Sequence, residues 1–212
     1  MALGLVSSSG KSNSVRYDAK ARVVKVGRES GDTEYETSQF GGIFDFPNTE
    51  VGWVSFQPFD DSHLVRHADV AAGKVKFPKR PGDGYRSGFR IRVKLAKALG
   101  GEVKEFMSAA MVTCQGIDEL HDAYLAATES QEGKLPVVVI ASTEAIKGKE
   151  GTNYRPKFAI QRWVERPADL QAPHAHVNVN GNGKVDDDVD DDIPFDAPPQ
   201  GKSTSVAAEP EF

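Results

Sequence analysis

Between Lys74 and Lys97 the sequence runs KVKFPKRPGDGYRSGFRIRVKLAK, with nine basic residues and one acid, Asp83. Within it Phe89, Ile91, Val93 and Leu95 alternate with Arg90, Arg92 and Lys94. A strand sends successive side chains to opposite faces. The pattern therefore predicts one apolar face for a core and one row of positive charge facing water. Lys74, Lys76, Lys79, Arg80 and Arg86 precede the row, on a stretch that Pro78 and Pro81-Gly82-Asp83-Gly84 turn into a loop. Phe77 and Tyr85 lie beside them. These residue types suit noncovalent chemistry. Cations neutralise backbone phosphates and aromatic faces stack on bases, which together fit a single-stranded nucleic acid. A solvated edge strand guarded by Lys and Arg is the bland alternative.

Other chemistries find less support. Gly10-Lys11-Ser12 resembles the end of a phosphate-binding loop, but Leu5 stands where the first glycine of that motif belongs. His63 and His67 are spaced to share a metal on a helix, yet no acidic motif completes a site, and His174 and His176 sit among linker residues. A small nuclease needs clustered carboxylates for Mg²⁺. Asp45, Glu50, Asp60 and Asp61 are the acids in or beside the aromatic centre, and nothing pairs them with Lys or His at a known spacing. No catalytic residue, cofactor or metal is expected.

The elements that must position the basic stretch follow from hydrophobic pattern and turn residues. Residues 21–27 read as a first strand and 29–36 as an acidic loop. Residues 40–59, FGGIFDFPNTEVGWVSFQPF, predict two strands joined by PNTE. Most of these aromatics belong in a core, with Trp53 and Phe44 the candidates to face outward. Residues 103–114 are apolar enough to be buried, with helix and strand left open. Residues 116–128 predict a helix bearing Ile117, Leu120, His121, Tyr124 and Leu125 on one stripe, with His121 packed rather than catalytic. Residues 135–141 form a buried strand, and 154–164 alternate again, adding Tyr154 to the candidate stacking residues. Short strands with Gly/Pro turns and one helix predict an all-β fold with a minor helix. The specific expectation is an OB-fold-like small barrel.

The formal charge of −5 divides unevenly. Residues 1–170 carry 24 Lys and Arg against 22 Asp and Glu, while residues 171–212 carry 2 against 9. Three parts are expected: a flexible N-terminal arm (1–19), the OB-fold-like domain (20–168) and a disordered acidic C-terminal tail (169–212). The one cysteine, Cys114, leaves no intrachain disulfide and suits a reducing compartment. No apolar run nears the roughly 20 residues that cross a membrane, and the N-terminus does not read as a secretion signal.

The tail contains VDDDVDDDIPF, and its Asp190-Asp191-Asp192-Ile193-Pro194-Phe195 resembles the acidic tip of bacterial single-stranded DNA-binding proteins. In that family an OB-fold binds the strand, and the tip recruits replication, recombination and repair enzymes. The family's Phe is the last residue, whereas here 17 residues follow Phe195, and the chain ends in Glu209-Pro210-Glu211-Phe212. The body, in VVVIASTEAIKGKEGTNYRPKFAIQRWVERP, is similar in character to phage and prophage single-stranded DNA-binding proteins. The resemblance implies a non-catalytic protein that coats single-stranded DNA in the cytoplasm of a bacterial host. It also implies a tail that recruits partners or inhibits binding, and a homo-oligomer. A protein-interaction or virion component is the alternative.

Overall fold

Alternation along Arg86–Leu95 makes this strand, β7, the spine of the domain. Phe89, Ile91, Val93 and Leu95 are buried, while Arg90, Arg92 and Lys94 lie on the other face. The computed structural model describes residues 13–149 and 151–170. Its strands are β1 (Ser14–Asp18), β2 (Val23–Arg28), β3 (Gly31–Glu36), β4 (Gly41–Phe44), β5 (Glu50–Phe56), β6 (Phe59–Arg66), β7, β8 (Val103–Ser108), β9 (Leu135–Gly148) and β10 (Gly151–Val164). Three helices accompany them: α1 (His67–Ala71), α2 (Met111–Ala126) and α3 (Thr128–Gln131).

The strands form one sheet in the order β10-β9-β4-β7-β8-β1-β2-β3, with β5 on the first half of β7 and β6 on β5. Every pairing is antiparallel except β1 with β8. β4 and β5 act as one bent strand: β4 pairs with Val93–Leu95 of β7 and β5 with Arg86–Arg90. Counted this way, β4–β5, β7, β8, α2, β9 and β10 follow the connection order of an OB-fold, with the helix between the third and fourth strands. The N-terminal strands β1, β2 and β3 extend the sheet beyond β8. The far end curls back on them, because the Tyr154 amide of β10 donates to the Ala19 carbonyl at 2.8 Å.

Aromatic rings fill the interior. Phe106 sits 5.4 Å from Phe89, 6.0 Å from Phe44 and 6.2 Å from Phe158, each edge to face, the arrangement that ring quadrupoles favour. Phe44 is therefore a fully buried core residue and not an outward platform. α2 closes the core with Ile117, Leu120 and Tyr124, while Leu125 points to solvent. Gly116 lets the helix lie close to β10, since a Cβ there would come within 2.6 Å of the Pro156 carbonyl oxygen. Salt bridges from Glu119 to Arg155 and Lys157, each 2.8 Å, tie the same helix to β10.

Some boundaries differ from expectation. Ser14–Asp18 is a strand rather than the end of an arm, because Val15 and Tyr17 alternate into the core. Gly31–Glu36 is a polar edge strand rather than a loop. Residues 103–114 divide into the whole of β8 (Val103–Ser108) and the start of α2 at Met111. The packed domain runs on to Leu170, which is fully buried with Ile43, Leu135 and Val137. The expected tail motif, Asp190 to Phe195, lies outside the described residues. Among the described residues no helix is long and apolar enough to cross a membrane.

Candidate nucleic-acid interface

The outward row of β7 is not an open line of charge. Register sets Arg90 opposite Glu50 of β5 and Arg92 opposite Glu105 of β8. Arg90 bonds Glu50 through Nε and Asp61 of β6 through Nη1, each at 2.5 Å, and its side chain is only 11% exposed. Burial disfavours this cation. The hydrogen bond to Glu50, with the charges of Glu50, Glu105 and Asp61, outweighs burial and raises its pKa. Lys94 pairs with Asp169 at 2.7 Å, and Arg92 donates to the Asp169 carbonyl at 3.1 Å. The row predicted to stand in water is thus compensated by acids from β5, β6, β8 and the segment after β10.

The loop before β7 is built differently. Gly73, with φ +69°, takes the left-handed conformation that ends α1 and releases residues 74–85. Three side chains then hold a segment that has no ladder of its own. The Trp53 indole N–H donates to the Pro78 carbonyl at 2.8 Å, and Phe77 packs edge-on against Trp53. Arg80 lies over the Trp53 ring and donates to the carbonyls of Gly82, Asp83 and Tyr85 at 2.8–3.0 Å. The Tyr85 hydroxyl donates to Asp60, and His63 packs edge-on against Tyr85. The hydrogen bond from Tyr85, joined by the Ser62 amide, holds the Asp60 carboxyl down at about 2.

What this leaves outward is a cluster of cations. Lys74, Lys76, Lys79 and Arg86 are exposed and make no ion pair among the described residues. Arg80 gives its hydrogen bonds to carbonyls, so among the described residues no carboxylate compensates its charge. Phe77 is 45% exposed beside them. Trp53 and Tyr85 serve mainly as anchors. Tyr154 lies elsewhere: its carbonyl accepts from the Tyr17 hydroxyl, and the Arg22 guanidinium covers its ring at 4.7 Å.

Two exposed aromatics escaped the sequence reading. Phe56 and Phe59, 48% and 56% exposed, stand at the tip of the β5–β6 hairpin with ring centres 6.3 Å apart. The Gln57-Pro58 pair between them was the available turn signal.

The other chemical candidates have structural partners. Asp45 is buried against Arg166 at 2.8 Å and accepts from the Asn48 amide. Glu50 and Asp61 bind Arg90, and Asp60 binds Tyr85. His63 lies on β6 and His67 opens α1, so the two do not share a helix face. His67 instead meets His121, which is packed among Phe46 and Tyr124 and whose pKa is lowered by burial and then by His67. Among the described residues no group of three or more His, Cys, Asp or Glu could hold a metal.

Two outcomes follow. Arg90→Ala removes the cation that Glu50 and Asp61 share and should destabilise the domain by about 3 kcal/mol in urea unfolding; an unchanged midpoint would contradict the clamp. Asp60 has a depressed pKa, so its contribution is present above the unfolded value of 3.8 and fades as pH falls toward about 2. Tyr85→Phe should move the Asp60 titration, followed by carboxyl NMR, up toward the ordinary range, and an unmoved curve would mean that the hydroxyl does not set it.

A scan against protein-family models, a search of curated proteins and a search of solved structures each return no match for this chain.

Proposed function

We propose that the protein is a non-catalytic single-stranded DNA-binding protein, of the kind that coats and protects strands during replication or recombination. The observation that carries this reading is the contrast between the two sets of cations. Arg90 and Lys94 are paired with carboxylates within the domain, and Arg92 faces Glu105 across the β7–β8 ladder and donates to the Asp169 carbonyl. Lys74, Lys76, Lys79 and Arg80, on one anchored loop beside an exposed ring, and Arg86, at the start of β7, have no carboxylate partner among the described residues. Displaying five uncompensated cations is electrostatically unfavourable without a polyanion, and phosphates supply one at regular spacing. In the OB connection order this loop joins the first and second strands, a place where such folds bind oligonucleotides.

The choice of DNA and the role of the tail rest on the resemblance of Asp190 to Phe195 to a known acidic tip. In this reading the tail recruits replication or recombination proteins, or competes with DNA for the loop, by the attraction of opposite charges.

Binding of a labelled oligo-dT, followed by fluorescence anisotropy across a salt series, tests the proposal. Five phosphate contacts give a log–log salt slope of about −3.5, at about −0.7 per single-stranded phosphate. Replacing Lys74, Lys76 and Lys79 by Glu should weaken binding and flatten the slope by about 2. Absence of salt-sensitive binding by the wild type would overturn the reading and favour an acidic protein partner.

A further inference from the structure

Beside the β5–β6 tip lies a cleft of about 560 Å³, within the roughly 300–1,000 Å³ of small-molecule sites. Its lining divides by chemistry. Phe56 from the hairpin tip and Met107 from β8 supply apolar, polarisable surface. Arg86, at the start of β7, and Arg16, on β1, supply two guanidinium groups. Ser108, Ala109 and Ala110, which lead into α2, also line the cleft, and their small side chains take up little of the space. Among the described residues no side chain lining the cleft is acidic, and the first turn of α2 carries no acid and no side-chain cap.

The two arginines are not equivalent. Arg16 is bonded to Asp32 of β3, which fixes its side chain and takes part of its charge. Arg86 is exposed and has no ion pair among the described residues. One cation is therefore oriented and the other free to engage an anion, and guanidinium groups match phosphate geometry. Phe56 is about half exposed and meets Phe59 at a tilt of 52° rather than stacked on it, which leaves ring surface open to a planar partner. Met107 adds a thioether that packs well on an aromatic edge. Gly84 also lines the cleft, so the basic loop runs straight into it.

We infer that this cleft is a nucleotide subsite, in which Phe56 and Met107 hold one base of the bound strand and Arg86, assisted by Arg16, holds its phosphate. The inference rests on the single-strand-binding reading above and adds to it a place where the base itself is gripped. The loop lysines reach only the backbone, so they hold an abasic strand as well as a normal one. The cleft distinguishes the two.

The test compares the full-length wild type with Phe56→Ala on oligo-dT and on an abasic oligomer of equal length. Removing one stacked base is expected to cost roughly 5- to 140-fold in affinity. Phe56→Ala should show that loss on oligo-dT and bind the abasic oligomer like the wild type. Phe56 is exposed at a hairpin tip, and an unchanged thermal midpoint will show that the variant folds. Phe56→Trp keeps a ring and should retain affinity, with oligo-dT quenching its fluorescence beyond the wild-type response. Equal, salt-sensitive oligo-dT binding by wild type and Phe56→Ala would overturn the subsite and leave the loop reading intact. No binding by the wild type would overturn that reading and the subsite with it.

Discussion

Arg90 is the residue on which the surface of this domain depends. Its guanidinium, nearly covered, is shared between Glu50 on β5 and Asp61 on β6, while its own strand is β7. One side chain thus fixes three strands relative to each other. The burial of a lone guanidinium would be strongly unfavourable, and so would that of the nearly covered Glu50 carboxylate; with the half-buried Asp61 they satisfy one another. The consequence reaches past stability. Because Arg90 is satisfied from within, it is not available to a ligand, and the exposed positive charge of this region moves to the loop that precedes β7. The β5–β6 hairpin held by this clamp also carries Asp60, the acceptor for Tyr85, and so supports the far end of that loop.

A loop with no backbone ladder of its own ordinarily loses much of its binding energy to ordering. Here Trp53, Arg80 and Tyr85 give that order in advance, through bonds to the loop's own carbonyls and to Asp60. The residues first read as binding groups therefore divide into two kinds of work. Trp53 and Tyr85 shape the loop, Lys74, Lys76 and Lys79 present charge on it with Arg86 at its end, and Arg80 both braces the loop and keeps its charge. The two tasks differ in what they require. Anchors must touch protein and lose freedom, whereas phosphate contacts must remain in water.

How far the sequence disclosed this depended on the range of each interaction. The alternation of Phe89, Ile91, Val93 and Leu95 and the unbroken run from Leu135 to Ile140 identified buried strands, because burial pattern is a local property of a strand. The spacing of Ile117, Leu120 and Tyr124 identified the helix for the same reason. Gly31–Glu36 escaped because all but Tyr35 are exposed, so an edge strand there leaves no apolar alternation. The compensation of Arg90 and Lys94 escaped because Glu50, Asp61 and Asp169 are brought to them only by tertiary pairing. Phe56 fell among aromatics expected mostly in the core and was not singled out to face outward, although Gln57-Pro58 beside it is a turn signal. The loop cations were legible throughout, since nothing acidic but Asp83 lies among them.

The most direct measurement is photo-crosslinking of full-length protein to an oligo-dT carrying 4-thiothymidine, with the crosslinked residues mapped by mass spectrometry. The account expects crosslinks within residues 74–86 and at Phe56, and few on the outward side of β7 beyond Arg90. Crosslinks concentrated at Arg92, Lys94 and the neighbouring face of β8, with none on the loop, would contradict it.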